Sequence, residues 1–424
     1  MNYLSMSAAE LKAEQARVRA EYDAICAKKL KLDLSRGKPG EDQLDLSMDM
    51  LNLPITKEAL RSDGGVDCRN YGLIFGIPAM QRFWSEITGI RPENIIVGGN
   101  SSLNMMYDSV VRSMLYGNKD SKGPWYKEAH IKFLCPAPGY DRHFAICQSL
   151  GIEMIPVAMT ETGPDMDAVE ELVLDPAVKG IWCVPKYSNP TGVTYSDETV
   201  RRLARMKVGS ADFRIYWDNA YIIHDLYEEG DRLLDIFAEC EKVGTEDRVL
   251  YFTSSSKITF PGSGVAMMAS SAKNVEFIKP LFNVQTIGPD KLNQVRHLLF
   301  LKDKAGAAEQ MKRHADIIRS KFGVVFEAFD KYLSGTGIAK WTKPNGGYFI
   351  SLDVMEGTAR RVYNLCKEAG VTLTTVGATF PYGVDPKDQN LRIAPTYPSL
   401  ADVSGAVEVL CAAVRLAALE KLCK

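Results

Sequence analysis

The sequence predicts an α/β protein: a large lobe on a mostly parallel, seven-stranded sheet, joined to a smaller α+β lobe. Three observations point there. A chain of 424 residues is long for one small domain. Its middle alternates short apolar, β-rich runs with stretches of helical period, the pattern of a sheet covered on both faces. After about Lys302 the alternation gives way to long helices with few strands.

The elements follow in order. Ser7 with Glu10 forms a capping-box start for an amphipathic helix over about Ser7–Lys29. Strands are expected at Ile95–Val97, Ile131–Cys135, Glu153–Val157, Gly180–Val184, Phe213–Trp217, Arg248–Thr253 and Gly264–Met268. Near-continuous apolar runs such as GIWCV suit burial on both faces. Helices are expected between them at Ser101–Tyr116, Tyr140–Leu150, Asp165–Leu174 and Asp197–Met206. The second lobe should hold helices over Ala307–Tyr332, Gly357–Ala369 and Leu400–Leu422, with short strands at Tyr348–Leu352 and Leu391–Ala394. Residues 1–65 should pack with this lobe, 66–302 form the large domain and 303–424 the small one.

Composition narrows the function classes. With 46% hydrophobic and 25% charged residues the chain can bury a sizeable core. A net charge of -2 argues against nucleic acid or an anionic membrane as partner, so a small molecule is the default. The nine cysteines include no C-x-x-C pair, and the five histidines no H-E-x-x-H frame. They read as reduced thiols of a cytoplasmic protein without a metal site. The N-terminus lacks the apolar core of a signal peptide, and no apolar run is long enough to span a membrane.

Five local features could carry chemistry, and each also has an ordinary structural reading. Ile95–Val97 runs into Gly98-Gly99-Asn100-Ser101-Ser102 and a helix start, which is either a phosphate cradle or a plain strand–turn–helix with a serine cap. Asn189-Pro190-Thr191-Gly192 follows a strand, where open α/β sheets bind ligands, or is a simple turn. Asp218 closes an apolar strand before Asn219-Ala220-Tyr221, as a carboxylate needing a cationic partner or as a helix cap. Lys257 follows Ser254-Ser255-Ser256 at a strand end, as an amine able to form an imine or as a loop lysine. Arg392 interrupts the apolar run Leu391–Ala394, as a carboxylate fork or as an edge-strand arginine.

Taken in order, these features resemble the fold-type I, pyridoxal-phosphate-dependent aminotransferases of class I/II, related to aspartate aminotransferase. The resemblance runs from about Leu34 to the last helix. It implies the PLP-transferase fold and a role for each matching residue. Lys257 would hold pyridoxal 5'-phosphate as an internal aldimine and then move the proton as general base and acid. Asp218 would keep the pyridine nitrogen protonated, making the ring an electron sink. Asn189 and Tyr221 would bond the ring's 3′-oxygen, and Tyr140 would stack on the ring. Gly99, Asn100, Ser101 and Ser254 would hold the phosphate, and Arg392 the substrate α-carboxylate.

Leu34-Ser35-Arg36-Gly37-Lys38-Pro39 resembles the segment that closes over the substrate, bringing Arg36 and Gly37 to it. Tyr71, with Gly72, Gly76, Ile77 and Pro78, resembles the position reaching a neighbouring subunit's phosphate, which implies a homodimer with shared sites. The stretch Lys257–Ala266 departs from the family: it has no arginine where a phosphate ligand is usual, as in a divergent bacterial branch of the aspartate type. The expected reaction moves an amino group between an amino acid, aspartate, and a 2-oxo acid, 2-oxoglutarate. Arg36, Lys38 and Lys186 are the candidates for the second carboxylate. A C–S/β-lyase on the same cofactor is the alternative. A non-catalytic, aminotransferase-like regulator fits less well, because no DNA-binding segment is seen ahead of the motifs.

Overall fold

A computed structural model describes residues 2–424. Helix α1 (Ala8–Cys26) starts at the expected capping box, with the Glu10 carboxylate accepting from Ser7 N at 2.7 Å and the Ser7 hydroxyl from Glu10 N at 3.4 Å. The helix stops short of Lys29, which adopts φ 51°. Strand β1 (Leu32–Asp33) and helix α2 (Glu41–Asp45) follow. Helix α3 (Pro78–Thr88) was not expected. Its first-position proline is pre-set for a helix, Met80, Phe83, Trp84 and Ile87 bury one face, and Gly89 at φ 78° ends it.

The large lobe then unfolds as β2 (Ile95–Val97), α4 (Ser102–Tyr116), β3 (Lys132–Ala137), α5 (Asp141–Ser149), β4 (Glu153–Thr160) and β5 (Gly163–Pro164). It continues as α6 (Met166–Leu172), β6 (Val178–Cys183), α7 (Asp197–Arg205), β7 (Arg214–Asp218), α8 (Ile236–Glu241), β8 (Val249–Ser254) and β9 (Ala266–Ala269). The sheet order is β2-β9-β8-β7-β6-β3-β4-β5, eight strands where seven were expected. The extra member, β5, has two residues, one a proline, and pairs antiparallel at the edge of β4; so short a strand leaves no period to read. The centre, β4-β3-β6-β7-β8, is parallel. Every residue of β6, β7 and β8 is buried, as a sheet covered on both faces requires. Strand β9 returns antiparallel to β8, and the connection over 255–265, without a crossover helix, opens on the turn that carries Lys257.

Helices α9 (Ala272–Gln285) and α10 (Lys291–Leu301) lead into the second lobe. There follow α11 (Lys304–Tyr332), β10 (Ala339–Trp341), β11 (Ile350–Val354), α12 (Ala359–Glu368), β12 (Val371–Thr372), β13 (Asn390–Ile393) and α13 (Leu400–Leu422). The chain's two ends meet there. Strand β1 pairs parallel with β12, and Val18, Tyr22 and Ile25 of α1 share one core with Ile318, Phe322, Val362 and Leu410. Helix α13 is buried almost throughout from Val403 to Leu419, as a helix apolar on all sides must be.

Candidate active site

Strands β3, β6, β7 and β8 point their carboxyl ends at the amino end of α4, the side of an open α/β sheet where ligands bind. A cavity of about 700 Å³ opens there, walled by both lobes. It collects Lys257 and Ser254 from β8 and its turn, Asp218 from the end of β7, Tyr221 from just beyond it, and Asn189 from beyond β6. Tyr140 comes from beyond β3, Ser101 from the start of α4, Arg392 from β13, and Arg36 and Gly37 from the N-terminal segment. Residues up to 356 positions apart in the chain thus face one space.

Lys257 opens onto the cavity but is encircled by protein, its Nζ 4.9 Å from the centroid of the Tyr221 ring. Loss of hydration pushes its amine below the usual lysine range, and the charge of Asp218 partly opposes that shift. Asp218 is 3% exposed. One of its oxygens, Oδ2, accepts from His143 Nε2 at 3.0 Å, while Oδ1 is buried with no partner among the described residues. A buried carboxylate oxygen left bare is costly, and a protonated ring nitrogen is a group that would satisfy it. The His143 ring is held in turn, stacked on Trp182 at 4.3 Å and met edge-on by Tyr140 at 4.9 Å. Burial raises the Tyr221 hydroxyl well above its ordinary range, so it stays a donor at neutral pH.

At the other end of the cavity lie Ser101, Ser102 and Leu103 at the start of α4, facing Ser254 and Ser256. A helix amino end with free N–H groups, ringed by hydroxyls, suits an anion. Ser256 Oγ donates to Asn100 O at 2.9 Å, and Ala266 N donates to Gly99 O at 2.8 Å. Gly99 and Asn100 therefore do not line the cavity; they shape its anion end by tying the two loops together.

Arg392 brings its guanidinium over the Phe349 ring at 5.1 Å. Its Nη1 donates to Asp141 Oδ1 at 2.8 Å and to Asn189 Oδ1 at 3.3 Å, and its Nε to Thr374 Oγ1 at 3.3 Å. Asp141 thus sits in the cavity as a carboxylate already on the arginine fork. Gly37 stands against Phe349 so closely that a Cβ would meet its Cζ at 2.0 Å, and only glycine fits.

Two expected residues lie elsewhere. Tyr71 is 76% exposed and outside this cavity in the protomer. Lys186 is corrected as a candidate for a substrate carboxylate: its ammonium is taken by Asp225 Oδ1 at 2.7 Å and Ile222 O at 3.1 Å, and it does not line the cavity. Lys38 does line it, as does Arg142, which the sequence reading passed over. His143 was missed as well. Its signal was its place three residues after Tyr140, the residue that caps α5.

The aspartate amino-transferase family model matches residues 6–424. An aspartate aminotransferase of Corynebacterium glutamicum is 44% identical over 403 residues, covering 95% of this chain and 93% of the relative. The crystal structure of an aspartate transaminase from Corynebacterium glutamicum superposes with a TM-score of 0.97 at 43% identity, covering 99% of both chains. More distantly, an α-aminoadipate aminotransferase of Thermus thermophilus, solved with N-(5'-phosphopyridoxyl)-L-leucine, shares the fold at TM-score 0.73 and 22% identity, covering 94% of this chain and 95% of that one. Fold, cavity and full-length match agree, and the chain is a transaminase belonging to the aspartate aminotransferase family.

Proposed function

We propose that this transaminase uses pyridoxal 5'-phosphate, bound through Lys257, to move an amino group between aspartate and 2-oxoglutarate. The observation that carries the reading is that Lys257 and Asp218, the latter with a buried and unpartnered Oδ1, line one cavity at the ends of neighbouring strands. The residues fit the cofactor: a desolvated amine for its aldehyde, an unpartnered buried carboxylate oxygen for its ring nitrogen, and a helix amino end with hydroxyls for its phosphate. When bound, the cofactor supplies an aldehyde carbon for the substrate amine and a ring that takes up electron density as the Cα–H bond weakens.

The chain's own residues do the rest. Lys257 Nζ, pushed below the usual lysine range by burial and freed when the substrate amine takes its place, would take the proton from Cα and return it. His143 fixes the Asp218 carboxylate so that its free oxygen meets the ring nitrogen. Asn189 and Tyr221 donate to the ring's oxygen, and Tyr140 covers its face. Ser101, Ser102, Ser254 and Ser256 receive the phosphate, with Tyr71 added from a second copy of the chain in a homodimer with shared sites. Arg392 holds the α-carboxylate once Asp141 yields it, and Gly37 leaves room above. Arg36, Lys38 and Arg142 supply the positive charge for the second carboxylate of a dicarboxylate substrate, since all three line the cavity.

Purified protein supplied with cofactor, aspartate and 2-oxoglutarate tests this. Matched appearance of oxaloacetate and glutamate is the expected result. With an S-substituted cysteine in place of aspartate, release of a thiol, pyruvate and ammonia without glutamate would replace transamination by β-elimination.

A further inference from the structure

We propose that Gln43 and His314 are positioning residues that hold the backbone of Lys257 and couple it to the segment lining the substrate end of the cavity. This rests on the reading of Lys257 as the cofactor-bearing lysine. The lysine sits in a single tight turn, Ser255–Lys257; Ser255 O is met within it by Ile258 N and Thr259 N at 2.9 Å, but the carbonyls of Lys257 and Ile258 enter no continuing helix and need donors from elsewhere. The amide nitrogen of Gln43 has two hydrogens, and the structure routes both to that turn. One goes to Tyr348 Oη at 3.0 Å, and Tyr348 Oη donates on to Lys257 O at 3.4 Å. The other goes to His314 Nδ1 at 3.1 Å, and His314 Nε2 meets Ile258 O at 3.1 Å. Two short relays thus leave one amide and end on consecutive carbonyls.

Polarity fixes the tautomer. Ile258 O can only accept, so His314 Nε2 carries the hydrogen and Nδ1 is left to accept from Gln43. A doubly protonated ring would set an N–H against the Gln43 amide. Gln43, His314 and Tyr348 are each fully buried, and none leaves a polar atom unpartnered. Burial also pushes His314 down to about 4, which keeps it neutral.

The far end of the relay reaches the substrate. Gln43 Oε1 accepts from Gly40 N at 3.3 Å, just beyond Arg36, Gly37 and Lys38 at the cavity. Asp42, next to Gln43, is pinned by the buried Lys321 at 2.7 Å. A shift of the segment over the substrate therefore pulls on the carbonyls of Lys257 and Ile258 through Gln43. An ordinary buried network would brace α11; this one ends on the lysine turn by both branches.

Hydrogen exchange on the full-length protein without cofactor, and the pH midpoint of the visible absorption band with cofactor, test the proposal. Gln43→Leu and His314→Phe should each speed exchange across residues 254–262 about tenfold, the effect of losing a buried hydrogen bond, and leave the strands of the large sheet unchanged. His314→Gln, which keeps a donor for Ile258 O, should recover much of the protection. In loaded protein the same two variants should shift the band's midpoint by about half a pH unit or more. Unchanged exchange in 254–262, or a uniform rise over the whole molecule, would overturn the proposal. Borohydride fixation of the cofactor in the unaltered protein separates the two levels. If Lys257 is fixed but the variants match it in midpoint and exchange, only the positioning role falls. If Lys257 is not fixed, the parent reading falls.

Discussion

Replacing Arg392 with alanine removes the group that faces the cavity from β13, and the surroundings set the size of the effect. The arginine side chain is 9% exposed, lies on Phe349, and shares its charge with Asp141, whose side chain is 33% exposed. Truncation removes the charge-assisted fork for an incoming carboxylate and also leaves Asp141 unpaired, as a like charge beside it. Removing one partner of a buried, hydrogen-bonded charge pair costs about 2–5 kcal/mol, or roughly thirtyfold to several thousandfold in affinity. Asp141 keeps some contact with water, which puts the expected loss near the lower end, about a hundredfold in the aspartate KM. Cofactor affinity, read from the visible band during titration, should hold within about threefold, because the partners of Arg392 are Asp141, Asn189 and Thr374, none of them at the start of α4. Asp141→Asn should act the opposite way, lowering the aspartate KM by freeing the fork, and should soften the Arg392→Ala defect in the double variant. Equal losses of amino-acid and cofactor affinity in Arg392→Ala would refute the assignment, as would additivity in the double variant.

Three further perturbations probe other parts of the site. His143→Phe keeps a ring against Trp182 but strips Asp218 of its one donor, so cofactor affinity should fall about tenfold or more; unaltered affinity would deny His143 its role. Gly37→Ala drives a methyl group into Phe349, so the amino-acid KM should rise with the cofactor band intact, and an unchanged KM would show that the segment does not set the substrate's space. Burial lowers both His297, which faces Arg296 and Asp290, and His314, which faces Arg313 and Asp42, to about 4 from 6.5. Between those values the unfolded chain binds more protons than the folded one. Stability is therefore fully present above about 6.5 and is lost as pH falls toward 4, by on the order of a few kcal/mol per histidine. The drop in urea midpoint from pH 7 to 4.5 should shrink in His314→Gln, and an equal drop would contradict the assignment.

Much of this was legible where local pattern decides the outcome. Ile95–Val97 and Leu400–Leu422 form over the expected residues, because an apolar run that ends on two glycines and a long helical period opened by a serine cap leave little choice. Lys257, Asp218, Asn189 and Arg392 could be singled out because each breaks an apolar or turn pattern at a strand, and the fold brings all four to one cavity. Helix α9 was less legible because Pro280 interrupts its interior, and β5 because two residues carry no period. The partnerships were not legible. His143 matters through Asp218, 75 residues away, and Gln43 through His314, 271 residues away. Lys186 misled for the same reason: nothing beside it in the chain shows that Asp225 and the Ile222 carbonyl already hold its ammonium.

Everything proposed for the site depends on one amine, Lys257 Nζ, holding the cofactor opposite Asp218. Reducing the cofactor-loaded protein with borohydride, digesting it and weighing the peptides tests that attachment most directly. A pyridoxyl-phosphate mass is expected on the peptide containing Lys257 and none in Lys257→Ala, which should also lose turnover. The same mass on Lys186 or any other lysine, or ample turnover in Lys257→Ala, would contradict it.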